Sequence, residues 1–190
     1  MKRIAENLLM IEGADLCSNI YLLVEGRKAL MIDSGDGSTL DEIERALRGV
    51  ELSRVVLTHG HFDHIGGMRY VDRTGLLHRA DLSMVDELNS PFPDYSRPPK
   101  LAELNLKSLK FGMFDLQVIH TPGHTPGSIS LFDRNSKTLF SGDTMFADGF
   151  FGRTDLVGGN ERELMKSLER LRKLDYKMLC PGHNRIECTI

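Results

Sequence analysis

Within the stretch "LTHGHFDHIGG", His59, His61, Asp63 and His64 occupy four of six consecutive positions. Imidazole nitrogens and carboxylate oxygens are donors for divalent metal ions, and a core that buried these four side chains without an ion would owe each a polar partner. His59 and His61 are two residues apart just past an apolar run, so both rings can point the same way. Asp63 and His64 open the following turn, which brings them back toward the same spot.

Two imidazoles do not complete a zinc site, which takes about four ligands. His124 in "TPGHTPG", Asp143 in "FSGD" and His183 in "CPGH" are the further candidates, each beside a glycine that lets the backbone come close. Five histidines and two carboxylates suffice for two ions sharing one bridging carboxylate. A pair of divalent ions about 3.5 to 4 Å apart is a hydrolytic clamp: one holds the nucleophilic hydroxide and both steady developing charge. Zinc is the first expectation, with iron or manganese as alternatives.

The elements that must position these residues are legible as short runs. Strands are predicted from Asn19, Lys28, Ser53, Phe114, Ser128, Thr138 and Lys177, each rich in apolar and β-branched residues. "STLDEIERALRGV" predicts a helix capped by Ser38 or Thr39, with Leu40, Ile43, Ala46 and Leu47 on one face. "GGNERELMKSLERLRKLD" predicts another, with Leu164, Leu168 and Leu171 aligned; shorter helices are expected over "ADLSMVDEL" and after His64. Strands in runs with helices between them indicate an α+β protein, two sheets covered by helices. Asn89 to Lys100 holds four of the seven prolines and reads as a surface loop of lid length.

At 190 residues the chain fits a single domain, 1–190. A net charge of −3 with no basic tract argues against nucleic acid. No run of 18 apolar residues or signal-like h-region points to a membrane. Cys17, Cys180 and Cys188 are odd in number and widely spaced, so they read as free thiols of a cytoplasmic protein.

"THGHFDH", "TPGHTPGS", "FSGD" and "PGH", in this order and with "IDSG" near the front, resemble the metallo-β-lactamase superfamily over nearly the whole chain. The resemblance implies an αββα sandwich of two mixed β-sheets with helices on the outer faces and the metals at one edge. It also implies a first ion on His59, His61 and His124, and a second on Asp63, His64 and His183. Asp143 would bridge them, Asp63 would also orient the hydroxide, and Asp33 would orient the ligands by hydrogen bonding.

"FADGFFGRTDLVGG" is similar to the glyoxalase II-like hydrolases, which implies hydrolysis of a small acyl thioester, as by a hydroxyacylglutathione hydrolase. Asp143 stands where true β-lactamases usually carry cysteine or serine. The C-terminal helical extension of glyoxalase II proper is not expected here. Arg153 falls where such enzymes set a basic residue against the thiol's carboxylate, although Asp155 replaces the usual aromatic; Tyr95 is a second candidate substrate contact. The same motifs resemble the persulfide dioxygenases, with one iron on His59, His124 and Asp143, and a non-catalytic metal-binding protein is a further alternative. For the rest, His78 and His120 are read as structural hydrogen-bonders, Phe146, Phe150 and Phe151 as core before pocket, and Cys180 as inert packing.

Overall fold

The structure, a computed structural model, describes residues 1–188. Its first sheet runs in chain order through β1 (Lys2–Ala5), β2 (Leu8–Ile11), β3 (Ile20–Glu25), β4 (Lys28–Ile32), β5 (Glu51–Val56), β6 (Gly75–Leu77) and β7 (Leu101–Glu103). The second runs through β8 (Ser108–Phe111), β9 (Phe114–His120), β10 (Ile129–Asp133), β11 (Thr138–Gly142), β12 (Met178–Pro181) and β13 (Glu187–Cys188). Hairpins make β1 to β4 and β8 to β11 antiparallel. Parallel pairing of β4 to β7 and of β11 with β12 requires crossovers, and these are the helices.

Side-chain alternation builds four layers. In β3, Tyr21 and Leu23 join Leu116, Leu131 and Phe140 of the second sheet in the core between the sheets, while Ile20 and Leu22 face the other way. That outer face packs on Ile43 of α1 (Leu40–Ala46), on Ile65 at the end of α2 (Phe62–Ile65) and on Val85. The outer face of the second sheet, Phe132, Leu139 and Leu179, is covered by Leu164, Leu168 and Leu171 of α5 (Glu161–Leu171). The αββα sandwich follows. Strands apolar on both faces read as continuous hydrophobic runs because both faces are buried.

The structure also departs from the expected elements. The helix expected over Ala80 to Leu88 is two short turns, α3 (Arg79–Leu82) and α4 (Val85–Leu88), with Met84 in a non-helical conformation between them. Thr39 occupies the N-cap of α1 without a side-chain hydrogen bond, whereas Asn160 caps α5 by accepting from the Glu163 N–H. Strands β1, β2, β6, β7, β8 and β13 have two to four residues each, too short for a periodic signal; pairing within their sheets holds them. No helix among the described residues is long and apolar enough to cross a membrane.

Candidate metal centre

Strands β4 and β5, and β11 and β12, are parallel pairs, so each pair delivers its C-terminal residues to one edge of its sheet, the usual place for a site in such folds. Asp33 follows β4, His59 lies three residues past β5, Asp143 follows β11 and His183 stands two past β12, while the turn after β9 carries His124. All seven expected donors meet there. The ligand atoms of His59, His61 and His124 lie within 4.8 Å of one another, as do those of His59, His64 and Asp143, and those of Asp63, His64 and His183.

Hydrogen bonds behind the rings set which nitrogen faces the cleft. Asp33, held at φ 58°, accepts from the Thr58 N–H (2.7 Å), the Thr58 hydroxyl (2.8 Å) and His64 Nδ1–H (2.8 Å). His64 Nε2 is thereby turned toward Asp143 Oδ1 (3.3 Å) and His183 Nε2 (3.3 Å). His124 Nδ1–H donates to the Arg153 carbonyl at 2.7 Å, so its Nε2 accepts from His61 Nδ1–H at 2.9 Å. Thr58 has given its proton to Asp33, so His59 Nδ1–H donates to the Thr58 oxygen at 3.2 Å. His59 Nε2 and Asp143 Oδ1 are then buried without a hydrogen-bond partner, as is His61 Nε2. Orphaned buried donors and acceptors are rare in a folded protein, and an ion at the cleft would satisfy the first two. Close approach is built in. A Cβ on Gly182 would lie 2.1 Å from Asp143 Oδ1, and one on Gly152 would lie 1.9 Å from the Asp143 carbonyl oxygen.

The electrostatics divide the cluster. Burial, reinforced by the neighbouring imidazoles, holds His59 well below the ordinary histidine pKa and takes His61 down to about 3, so both are neutral ligands-in-waiting. Burial also pushes His64 down, but the carboxylates of Asp143, Asp33 and Asp63 outweigh it and raise His64 well above the usual value. Asp143 is the converse: burial raises it, and His64, His124 and His183 together bring it below the carboxylate range.

Residues that the sequence did not single out position the site. Asp81 is fully buried and accepts from the Gly60 N–H (2.8 Å), the Thr125 hydroxyl (2.7 Å) and the Gly127 N–H (2.5 Å). It ties the backbone between His59 and His61 to the turn that carries His124. Asn89 accepts from the Phe62 N–H and donates to the Gly60 and Val85 carbonyls. No local pattern marks "HRADL" or "ELNS", because the site partners Gly60, Phe62, Thr125 and Gly127 lie more than twenty residues away. Tyr95 does not line the cleft: it packs on the α1 side of the first sheet, and Phe92 is the member of that proline-rich loop that faces the site, tilted against Phe62. Phe146 and Phe151 line the cleft rather than fill the core, while Phe150 is exposed. His78 and His120 stack at 4.2 Å, and each hydrogen-bonds locally, His78 to the Ala80 N–H and His120 to the Pro126 carbonyl. Cys180 is core, its thiol pushed up by burial.

The family model of the metallo-beta-lactamase superfamily matches residues 15–183. The chain belongs to the metallo-beta-lactamase superfamily. Among relatives within that superfamily, it is 33% identical over 201 residues to the probable metallo-hydrolase MJ0888 of Methanocaldococcus jannaschii, covering 94% of this chain and 93% of the relative. Among solved structures it is similar to the BLEG-1 B3 metallo-beta-lactamase, at 31% identity with a TM-score of 0.77, covering 95% of this chain and 93% of that one. It is also similar to TTHA1623, solved in a di-iron-bound form, at 30% identity with a TM-score of 0.78, covering 95% and 94%. Superfamily membership and the buried His/Asp cluster together support a metal-dependent enzyme.

Proposed function

We infer that the protein hydrolyses small acyl thioesters with two divalent metal ions, zinc first and iron or manganese as alternatives. The observation that carries this reading is the pair of donor trios that meet at Asp143. His59, His61 and His124 would hold the first ion, Asp63, His64 and His183 the second, and Asp143 would serve both. The likeness to a protein solved with two irons supports two ions rather than one. Once bound, the ions would generate a nucleophile from water at neutral pH and draw charge from the acyl oxygen.

The chain's own residues do the rest. Asp33 and the Arg153 carbonyl keep the Nδ1 protons of His64 and His124, so each ring presents a basic Nε2. Asp63, beside His183 at 3.0 Å and partly open to the cleft, is suited to orient the attacking water. The water gives up a proton to solvent as its oxygen bonds to the acyl carbon; the carbon–sulfur bond then breaks, with the sulfur taking the electron pair and leaving as thiolate. A thiol of pKa about 8.5 leaves without an acid to protonate it, which suits a cleft in which Arg153 is the lone residue of permanent positive charge among the described lining residues.

The test is metal content together with thiol release. Protein purified without chelator should carry close to two equivalents of metal and release thiol from an acyl thioester, and chelation should stop the reaction. One equivalent of iron, with oxygen uptake on a persulfide, would replace the reading with the dioxygenase. The likeness to BLEG-1 makes a chromogenic β-lactam the second substrate to try; turnover of it in place of thioesters would reassign the reaction.

A further inference from the structure

The cleft in front of the donor cluster has a volume of about 470 Å³, within the roughly 300 to 1,000 Å³ of small-molecule sites. Its walls are apolar: Leu16, Phe62, Phe92, Phe146, Phe151 and Leu156. Leu16 and Phe151 are 66% and 46% exposed, so the mouth carries apolar surface that an occupant would cover. None of these six side chains can hydrogen-bond a polar thiol.

The charges at the mouth point the same way. Arg153, the one guanidinium or ammonium group among the described lining residues, is held by Asp155 through two parallel hydrogen bonds, Nε to Oδ1 at 2.7 Å and Nη2 to Oδ2 at 2.6 Å. Asp155 thus occupies the Nε–Nη2 edge of the guanidinium and offsets its charge. Asp15 adds a negative charge at the mouth, and Arg185, the next cation along the chain past His183, is paired with Asp148. A thiol bearing carboxylates, such as glutathione, would meet a guanidinium whose charge Asp155 already offsets, and would approach Asp15.

We propose that the cleft selects thioesters with an apolar acyl group and an uncharged thiol, and that the Arg153–Asp155 pair turns anionic thiols away. The proposal rests on the thioesterase reading and names its substrate class. It also revises the expectation that Arg153 receives the thiol's carboxylate: the geometry gives that guanidinium a partner within the chain.

The experiment compares acetyl, butyryl and hexanoyl thioesters of N-acetylcysteamine with the same acyl series on glutathione, using zinc-loaded enzyme and steady-state thiol release. The neutral series should have kcat/KM at least tenfold above the glutathione series. It should also rise about two- to fourfold per added methylene, fourfold being the value for complete burial. Asp155→Asn should raise kcat/KM for glutathione thioesters at least fivefold relative to the neutral ones, through KM, and adding Arg153→Ala should reverse that gain. Equal or better use of glutathione, no dependence on acyl length, or an unchanged preference in Asp155→Asn would overturn the proposal while leaving a thioesterase. Hydrolysis of neither series with both metal sites filled would overturn the thioesterase reading and the proposal together.

Discussion

Replacing Asp81 with asparagine tests whether a carboxylate that touches no expected metal ligand governs the first ion. Asp81 Oδ2 accepts two hydrogen bonds, from the Gly60 N–H and the Thr125 hydroxyl, and Oδ1 accepts one, from the Gly127 N–H. An amide can keep its carbonyl on the two-donor side, but its NH₂ then opposes the buried Gly127 N–H. The loss is one hydrogen bond to a charged group, about 1.5 to 3 kcal/mol, plus the weakening of two others from charged to neutral. Since neutral asparagine is easier to bury than a carboxylate, the net fall in stability should be about 2 to 4 kcal/mol, a large part of a typical 5 to 15. Because Gly60 separates His59 from His61 and Thr125 follows His124, the loosening falls on that trio. The assay is a chelator-competition titration in two backgrounds. Asp63→Ala isolates the His59, His61 and His124 trio, where adding Asp81→Asn should weaken zinc binding about 10- to 100-fold, the usual effect of removing a group that orients ligands. In His61→Ala, which leaves the trio of Asp63, His64 and His183, the same addition should change binding less than threefold. Equal losses in both backgrounds would show that Asp81 supports the fold in general, and the reasoning would fail.

The remaining predictions concern the bridge and pH. Asp143→Ala should empty both metal sites and abolish hydrolysis, whereas Asp63→Ala should retain about one equivalent by elemental analysis; equal occupancy in the two variants would contradict the assignment of Asp143 between the trios. In metal-free protein, His59 and His61 are neutral when folded, with pKa values below the unfolded value of 6.5. Their contribution is present above about pH 6.5 and lost as pH falls toward about 3, with a slope of up to about 1.4 kcal/mol per pH unit for each group. His64 is raised, so its contribution is present below about pH 6.5 and lost as pH rises through its folded pKa. Urea midpoints of chelated protein between pH 4 and 8 should therefore decline on the acid side. A flat acid limb would refute the burial of neutral His59 and His61.

What the chain determines by itself is the donor set and the layers. His59, His61, Asp63 and His64 are close in sequence, so their gathering needs only a strand end and a turn. The runs that became β3, β4, β10 and β11 announce themselves because hydrophobicity is a local property of a strand buried on both faces. Two mixed sheets with helices outside, and the cleft at the strand ends, follow from that much. Tertiary structure decided what depends on partners far along the chain. Asp81 matters because Gly60 and Gly127, 21 and 46 residues away, point their N–H groups at it. The tautomers of His64 and His124 are set by Asp33 and by a main-chain carbonyl at Arg153, neither of which a histidine motif contains. The same holds for the loop from Asn89 to Lys100, where the direction of the chain turned Phe92 to the cleft and Tyr95 to the core. Arg153 reads as a free cation in sequence, but a turn of two residues closes Asp155 onto its guanidinium. Residue type determines which atoms can coordinate, donate or carry charge; only the folded chain determines which of those atoms are already satisfied.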